Sequence, residues 1–361
     1  MTSSRPLVAT VVGARPQFVK AAPVSRALSA AGVHEFLIHT GQHYDWEMSQ
    51  SFFEGLGIGE PDINLEVGSA AHGAQTGRMI EDIERVLLDL RPDVAMVYGD
   101  TNSTLAGALA AAKLHIQIAH VEAGLRSFNR RMPEEINRVL TDHLSCLLFA
   151  PTDAAIMNLE AEGITDGVVR TGDVMFDLAQ QMGPKIEQIA PATLRDVGVQ
   201  SDRYILVTLH RPENTDDEAR WSAIMEGLRC IADAGPTVVW LTHPRTAHRA
   251  GEVSHANIRI MGPQPYLKTH ALIHCSRAVM TDSGGVQKEA AFHRRPCITV
   301  RPETEWVELV AAGVNTLTEA DPDALREAAL AAAWPQHGLD PMLYGDGSTA
   351  EVIARHLLSS L

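Results

Sequence analysis

Short apolar runs alternate with longer amphipathic stretches along the chain. Runs that end in Gly, Asp, His or Ser predict strands over residues 7–12, 36–40, 94–98, 116–121 and 146–150. The second half repeats the pattern over residues 204–209, 237–242, 258–261, 278–281 and 297–300. Between them, stretches such as 104–113 and 216–232 place their apolar positions at helical spacing. Near-continuous apolar strands joined by helical crossovers imply parallel sheets covered on both faces. Ten such strands are too many for one ordinary sheet, and the polar stretch around 180–202 separates them. The pattern predicts an α/β chain of two Rossmann-like domains with a cleft between them. The expected division is 1–175 and 176–348. A last helix over 349–361 follows the turn Tyr344-Gly-Asp-Gly347 and is expected to return to the first domain.

Composition keeps this picture and narrows the partners. A length of 361 residues is enough for two cores, and 45% apolar with 21% charged residues is ordinary for a folded chain. A net charge of −15 argues against nucleic acid, which needs a basic face. An anionic small ligand stays possible, because local cations and backbone N–H groups outweigh distant acids across a short screening length. No apolar run approaches the ~20 residues of a membrane span. The opening Met1-Thr-Ser-Ser-Arg-Pro-Leu7 lacks the apolar core of a signal peptide. Cys146, Cys230, Cys275 and Cys297 are isolated, and no pair among the 16 histidines has the H-E-x-x-H spacing of a metal helix. The expectation is a cytoplasmic protein with no metal, no cofactor, no membrane and no nucleic acid.

Acidic chemistry gathers at strand ends. His120-Val-Glu-Ala-Gly-Leu-Arg126 puts Glu122 just past a buried strand, and Met132-Pro-Glu-Glu-Ile-Asn-Arg138 puts Glu134 at a helix start. Two carboxylates entering one cleft from different elements suit proton transfer on a sugar or hydroxy-acid carbon. Read structurally, Glu134 and Glu135 are first-turn acids behind Pro133 that complement the helix dipole. Tyr98-Gly-Asp-Thr101 places Asp100 at another strand end, either facing the ligand or capping the next helix.

Two segments suit anions. Gly13-Ala-Arg-Pro-Gln-Phe-Val-Lys20 sets Arg15 and Lys20 near a helix start, where dipole and cations act together. The alternative for both is a solvated surface position. Asp282-Ser-Gly-Gly-Val-Gln-Lys-Glu289 follows a strand. There Gly284 and Gly285 let backbone approach a ligand, Ser283 caps the helix, and Glu289 is one turn inside, suited to ribose hydroxyls. His210 leaves the strand over 204–209, where an imidazole could meet a phosphate or act as acid or base. His39 and His43 flank Gly41-Gln42 and line the cleft or close a turn.

With these segments laid out, the chain resembles the non-hydrolysing UDP-N-acetylglucosamine 2-epimerases over essentially its whole length. The resemblance rests on Gly13-Ala-Arg-Pro-Gln, Gly41-Gln-His43, Tyr98-Gly-Asp-Thr101, His120-Val-Glu-Ala-Gly-Leu-Arg126, Pro133-Glu-Glu-Ile-Asn-Arg138, Leu209-His-Arg211, Thr281-Asp-Ser-Gly-Gly285 and Tyr344-Gly-Asp-Gly347. It implies the two-domain glycosyltransferase-B type, with the active site in the interdomain cleft, and usually a homodimer. It implies elimination of UDP across C1–C2 to a 2-acetamidoglucal, then re-addition after protonation on the opposite face of C2. It further implies that Asp100, Glu122 and Glu134 carry proton transfer or support the cationic sugar, while His210 assists at the diphosphate. By the same resemblance Arg15, Lys20, Arg138, Ser283, Gly284, Gly285 and Glu289 bind UDP.

Several details lie closer to the branch acting on UDP-2,3-diacetamido-2,3-dideoxy-glucuronate. They are Arg15-Pro-Gln17, Gly172-Asp-Val-Met175, Val286-Gln-Lys288 and Thr304-Glu-Trp-Val-Glu308. Enzymes for UDP-N-acetylglucosamine more often have Thr-Glu-Arg-Pro-Glu in the last place, where this chain has Trp306 and Val307. The loop over 127–132 is compact, and Arg131 within it is a candidate contact for a C6 carboxylate. UDP-N-acetylglucosamine is the alternative substrate. Rival classes are a hydrolysing epimerase, a glycosyltransferase on the same scaffold, and an inactive nucleotide-sugar sensor.

Overall fold

The computed structural model describes residues 5–42 and 59–361. Residues 1–4 of the opening segment, and His43, lie outside the described residues. Among the described residues two parallel sheets form, of seven and six strands. The first contains β1 (Leu7–Val12), β2 (His34–His39), β3 (Ile63–Asn64), β4 (Val94–Tyr98), β5 (Gln117–Val121), β6 (Leu147–Ala150) and β7 (Val168–Arg170). Their order is β3-β2-β1-β4-β5-β6-β7. The second contains β8 (Tyr204–Leu209), β9 (Thr237–Thr242), β10 (Ile258–Met261), β11 (Ala278–Thr281), β12 (Cys297–Thr299) and β13 (Asn315–Leu317), ordered β10-β9-β8-β11-β12-β13. The expected strands are present with ends shifted by a residue or two, and β3, β7 and β13 are additional.

Both orders reverse direction once, between β1 and β4 and between β8 and β11. At such a switch point the loops after the two central strands leave in opposite directions, and a crevice opens at their carboxyl ends. The fold is α/β, with two Rossmann-like domains.

Small residues set the packing in the first sheet. Its helices include α1 (Arg15–Ala30), α2 (His72–Leu90), α3 (Asn102–Lys113), α4 (Pro133–Leu144) and α5 (Asp153–Ala161). Helix α3 buries Ala106, Ala108, Ala110 and Ala111, and a Cβ on Gly107 would stand 3.1 Å from Val11 and Val97. The helix therefore lies close against the switch point. Helix α2 turns Met79, Ile83 and Leu87 inward at one-turn spacing, completing the core with Val11, Ile38 and Val97.

The chain divides into two compact units, Met1–Gln180 with Pro341–Leu361, and Gln181–Asp340. The stretch 180–202, expected as a break, is helical as far as Val197 in α6 (Val174–Val197). Met182, Ile186, Ile189, Leu194 and Val197 pack into a core of the second unit. That apolar face offsets the hydrogen bonds lost at Pro184 and Pro191. The second unit also carries α7 (Glu218–Asp233), α8 (Tyr266–Cys275), α9 (Gly284–Phe292) and α10 (Pro322–Ala331). Its other core packs Trp221 of α7 against Trp240 of β9, ring centroids 5.8 Å apart. Helix α11 (Thr349–Ser360) lies in the first unit against α1, and its Ala350 N–H donates to Asp177 at 2.8 Å.

Candidate active site

In the first unit the switch point brings together residues from four elements. Glu122 follows β5 with φ +73°, a left-handed conformation that costs a non-glycine residue on the order of 1–2 kcal/mol. The strained residue meets the Lys20 ammonium from α1, and both side chains are largely buried. Lys20, expected beside Arg15 at an anion site, is thus turned onto Glu122, while Arg15 lies exposed at the first turn of α1.

Asp100 follows β4 and the Gly99 turn. It does not cap α3: Thr101 does, accepting the Thr104 N–H, which leaves the Asp100 carboxylate to Arg138 Nη2 at 2.6 Å. Asn137 holds the same residue from behind, donating to the Asp100 carbonyl at 2.9 Å. Glu134 is half-buried in the first turn of α4, beside this pair in sequence.

Glu135 does something the sequence pattern did not reveal. It is buried, accepts from the backbone N–H groups of Ser127 and Phe128 at 2.9 and 3.0 Å, and takes Arg138 Nη1 at 2.8 Å. One carboxylate thereby pins the 127–132 loop and orients Arg138 towards Asp100. Arg131 is exposed on that loop, its N–H donating to Asn129 Oδ1. The spacing Glu135–Arg138 was the available signal, since residues three apart share a helix face.

In the second unit, Asp282 organises the ends of β8 and β11. It is fully buried and accepts the N–H groups of His210 and Arg211, the Asn214 amide and His210 Nδ1, the last at 3.2 Å. Burial opposes its charge, but His210 and the other donors outweigh burial and hold the carboxyl below its ordinary range. With Nδ1 committed to Asp282, His210 keeps Nε2 for other partners, and about a third of its side chain is exposed.

Ser283 caps α9, accepting from Val286 N–H, and Gly284 and Gly285 open that helix. The Glu305 carboxylate sits close over Gly284, so a Cβ there would have to push it aside. Arg301 Nη1 balances Glu305 at 3.1 Å. Glu289, a turn further on, is largely buried, 3.5 Å from His270 Nε2. The cluster beneath is tied by Gln287, which accepts from Thr304 and Asn315 at 2.7 Å each. Lys288 is buried with its ammonium 4.2 Å above the Trp306 ring. Two segments far apart in sequence, 286–288 and 304–308, are therefore one contact. Among the described residues no cluster of His, Cys, Asp and Glu has metal-binding geometry.

The structure thus gathers Lys20, Asp100, Glu122 and Arg138 at one switch point, and His210, Ser283, Gly284, Gly285 and Glu289 at the other. Residues 26–358 match the family described as UDP-N-acetylglucosamine 2-epimerase. The chain belongs to that family. One relative of this epimerase chain is the UDP-2,3-diacetamido-2,3-dideoxy-D-glucuronate 2-epimerase of Pseudomonas aeruginosa, 47% identical over 97% of this chain and 99% of the relative. Among solved structures, the Methanocaldococcus jannaschii UDP-GlcNAc 2-epimerase in complex with UDP-GlcNAc and UDP superposes with a TM-score of 0.90. It is 41% identical and covers 98% of this chain and 99% of its own. The spinosyn rhamnosyltransferase SpnG, at a TM-score of 0.53 and 13% identity, covers 98% of this chain and 96% of its own and shares the fold alone. The epimerase fold here is of the glycosyltransferase-B type.

Proposed function

We propose that the chain inverts C2 of a UDP-2-acetamido sugar without net hydrolysis, and that its substrate is UDP-2,3-diacetamido-2,3-dideoxy-glucuronate. The observation that carries the chemistry is the paired arrangement at the first switch point, with Glu122 against Lys20 and Asp100 against Arg138. Each carboxylate is fixed in place by a cation on a different element, so the two acids are set at defined positions for proton transfer.

The C2 proton of such a sugar is not next to a carbonyl, so its removal alone is costly. Loss of UDP from C1 supplies the driving force. A carboxylate takes the C2 proton, the C–H electrons form C1=C2, and the C1–O electrons leave with UDP. Proton delivery to the other face of C2, with return of the UDP oxygen to C1, gives the epimer. Asp100, Glu122 and Glu134 form the proton-transferring set. Arg15, Lys20, Arg138, Ser283, Gly284, Gly285 and Glu289 hold UDP, and His210 donates from Nε2 to the diphosphate.

The choice of the uronate rests on the 47% identical relative that bears that name and on the Lys288–Trp306 contact, which joins two segments that resemble that branch. Arg131, exposed on its pinned loop, is the proposed contact for the C6 carboxylate. UDP-GlcNAc is the second reading, favoured by the TM-score of 0.90 to an enzyme captured with it. A homodimer and a cytoplasmic location belong to the same proposal.

Incubation with the diacetamido uronate in D₂O, followed at C2 by proton NMR, tests this. Deuterium at C2 with a manno-configured UDP-sugar is the expected result. Exchange with UDP-GlcNAc alone would overturn the uronate assignment, and accumulating free UDP would overturn the non-hydrolysing mechanism.

A further inference from the structure

His120 takes no part in the chemistry above, yet it is fully buried with both ring nitrogens engaged. Nδ1 lies 2.6 Å from Asp142 Oδ1 and Nε2 lies 2.7 Å from the Gly99 carbonyl. A carbonyl only accepts. Asp142 accepts as well: its other oxygen takes the Gly124 N–H at 3.1 Å and Arg126 Nη1 at 2.7 Å. Burial opposes the Asp142 charge, but His120 and Arg126 outweigh it and hold the carboxyl below its ordinary range. With an acceptor at each end, each ring nitrogen of His120 must donate.

The two bonds reach the junction of the site. Gly99 has φ +63°, and its N–H donates to Val121 O at 3.0 Å. A Cβ on Gly99 would stand 2.8 Å from Lys20 Nζ and 3.2 Å from Glu122 Oε2. This peptide therefore separates the Lys20–Glu122 pair from Asp100, the next residue. Its carbonyl is fixed by His120, which lies two residues before Glu122 on β5. On the far side Asp142 belongs to α4, the helix that carries Glu134 and Arg138. Arg126 extends the chain to Glu162, with two contacts of 2.7 and 2.8 Å.

We propose that His120 is a positioning residue for the epimerisation, a buried double donor that fixes Asp100 against Glu122 through the Gly99 peptide and registers both to α4 through Asp142. The proposal rests on Asp100 and Glu122 being reacting carboxylates. Reaction here needs a proton removed from one face of C2 and delivered to the other, so an error in the spacing of the two groups acts on turnover more than on binding. The single ring does what two separate hydrogen bonds to flexible side chains would do less well, because its two donors sit at a fixed distance on a rigid frame.

Two amide variants divide the two bonds. In His120→Asn the amide nitrogen stands about where Nδ1 was, so the Asp142 bond survives and the Gly99 bond is lost. In His120→Gln the amide nitrogen stands about where Nε2 was, and the Gly99 bond survives. The expected result for His120→Asn is a kcat lower by about 100-fold, with KM changed no more than about twofold. More free UDP should be released per epimer formed, because the intermediate waits longer for its second proton. His120→Gln should recover about tenfold of that loss.

Thermal unfolding is recorded on both variants. Wild-type turnover and product partition in His120→Asn, or a loss that only follows the fraction folded, would overturn the proposal. So would an Asn variant more active than the Gln variant. Asp100→Asn and Glu122→Gln separate the underlying reading. If those two keep wild-type turnover, the carboxylate assignment fails and takes the positioning role with it. If they lose turnover while His120→Asn keeps it, the positioning role alone fails.

Discussion

Asp177, in the first turn of α6, is buried, and its carboxylate takes the Ala350 N–H at the start of α11. Burial pushes the carboxyl up to about 6, against the pull of the Ala350 and Thr349 donors. The sign follows from proton counting. Between the ordinary carboxylate value near ~4 and about 6, the folded chain holds a proton that the unfolded chain has lost, so this group makes stability fall as pH rises through that window. Above it the full cost remains. Asp177→Asn keeps an oxygen for Ala350 and removes the charge. Its stability relative to wild type should improve by on the order of 2 kcal/mol between pH 4 and pH 7.5, read from denaturant unfolding at each pH. A difference that is flat with pH would show that the buried charge is not the cause. The same trade appears at Glu122, where a left-handed backbone and a buried charge are tolerated because Lys20 is fixed opposite.

At the scale of elements, the second unit joins α9 to the 304–308 segment through the Lys288–Trp306 contact. Trp306→Arg, the residue more often found in the UDP-N-acetylglucosamine enzymes, would bring a second cation against Lys288 in a buried place. That variant is expected to lose about 2–4 kcal/mol of stability and to bind UDP more weakly, and Lys288→Glu in the same chain should restore most of both. Calorimetry with UDP on the single and double variants checks it, and additive losses would mean the two residues are not coupled. This contact also marks where sequence reading stops. Buried parallel strands are legible because they are continuous apolar runs, and the strand-end rule singles out Asp100, Glu122, His210 and Ser283 as candidates without coordinates. The short edge strands β3 and β7 carry too few apolar residues to register. Helix α6 hid behind Pro184 and Pro191, although its apolar spacing was present. Glu135 looked like a dipole acid, and His120, Asp142 and Asp282 had no assigned role. Each acts through partners distant in sequence, as Asp282 and His210 do across 72 residues, and no local pattern records such a pairing.

For the whole molecule, α4 poses a question of association. Its inner face is spent on Glu135, Asn137, Arg138 and Asp142, yet Ile136 and Leu140, one turn apart, are 41% and 47% exposed. Phe128, on the loop that Glu135 pins, is 75% exposed with φ +59°. A folded chain tolerates scattered apolar residues, but three large ones around one short helix, one of them in a strained backbone, make this face the candidate contact for the proposed homodimer. For the proposed homodimer, we infer a two-fold, self-complementary contact in which the same helix of a second copy meets this one. Leu140→Glu puts a charge in that contact and should weaken the proposed dimer by about 30- to 100-fold. Light scattering at micromolar concentrations would then read half the wild-type mass. Turnover should fall with it, because α4 presents Arg138 to Asp100 from its other side. A wild-type chain that is monomeric at every concentration, or a Leu140→Glu chain that keeps its mass, would move the interface elsewhere and leave the exposed face of α4 without this explanation.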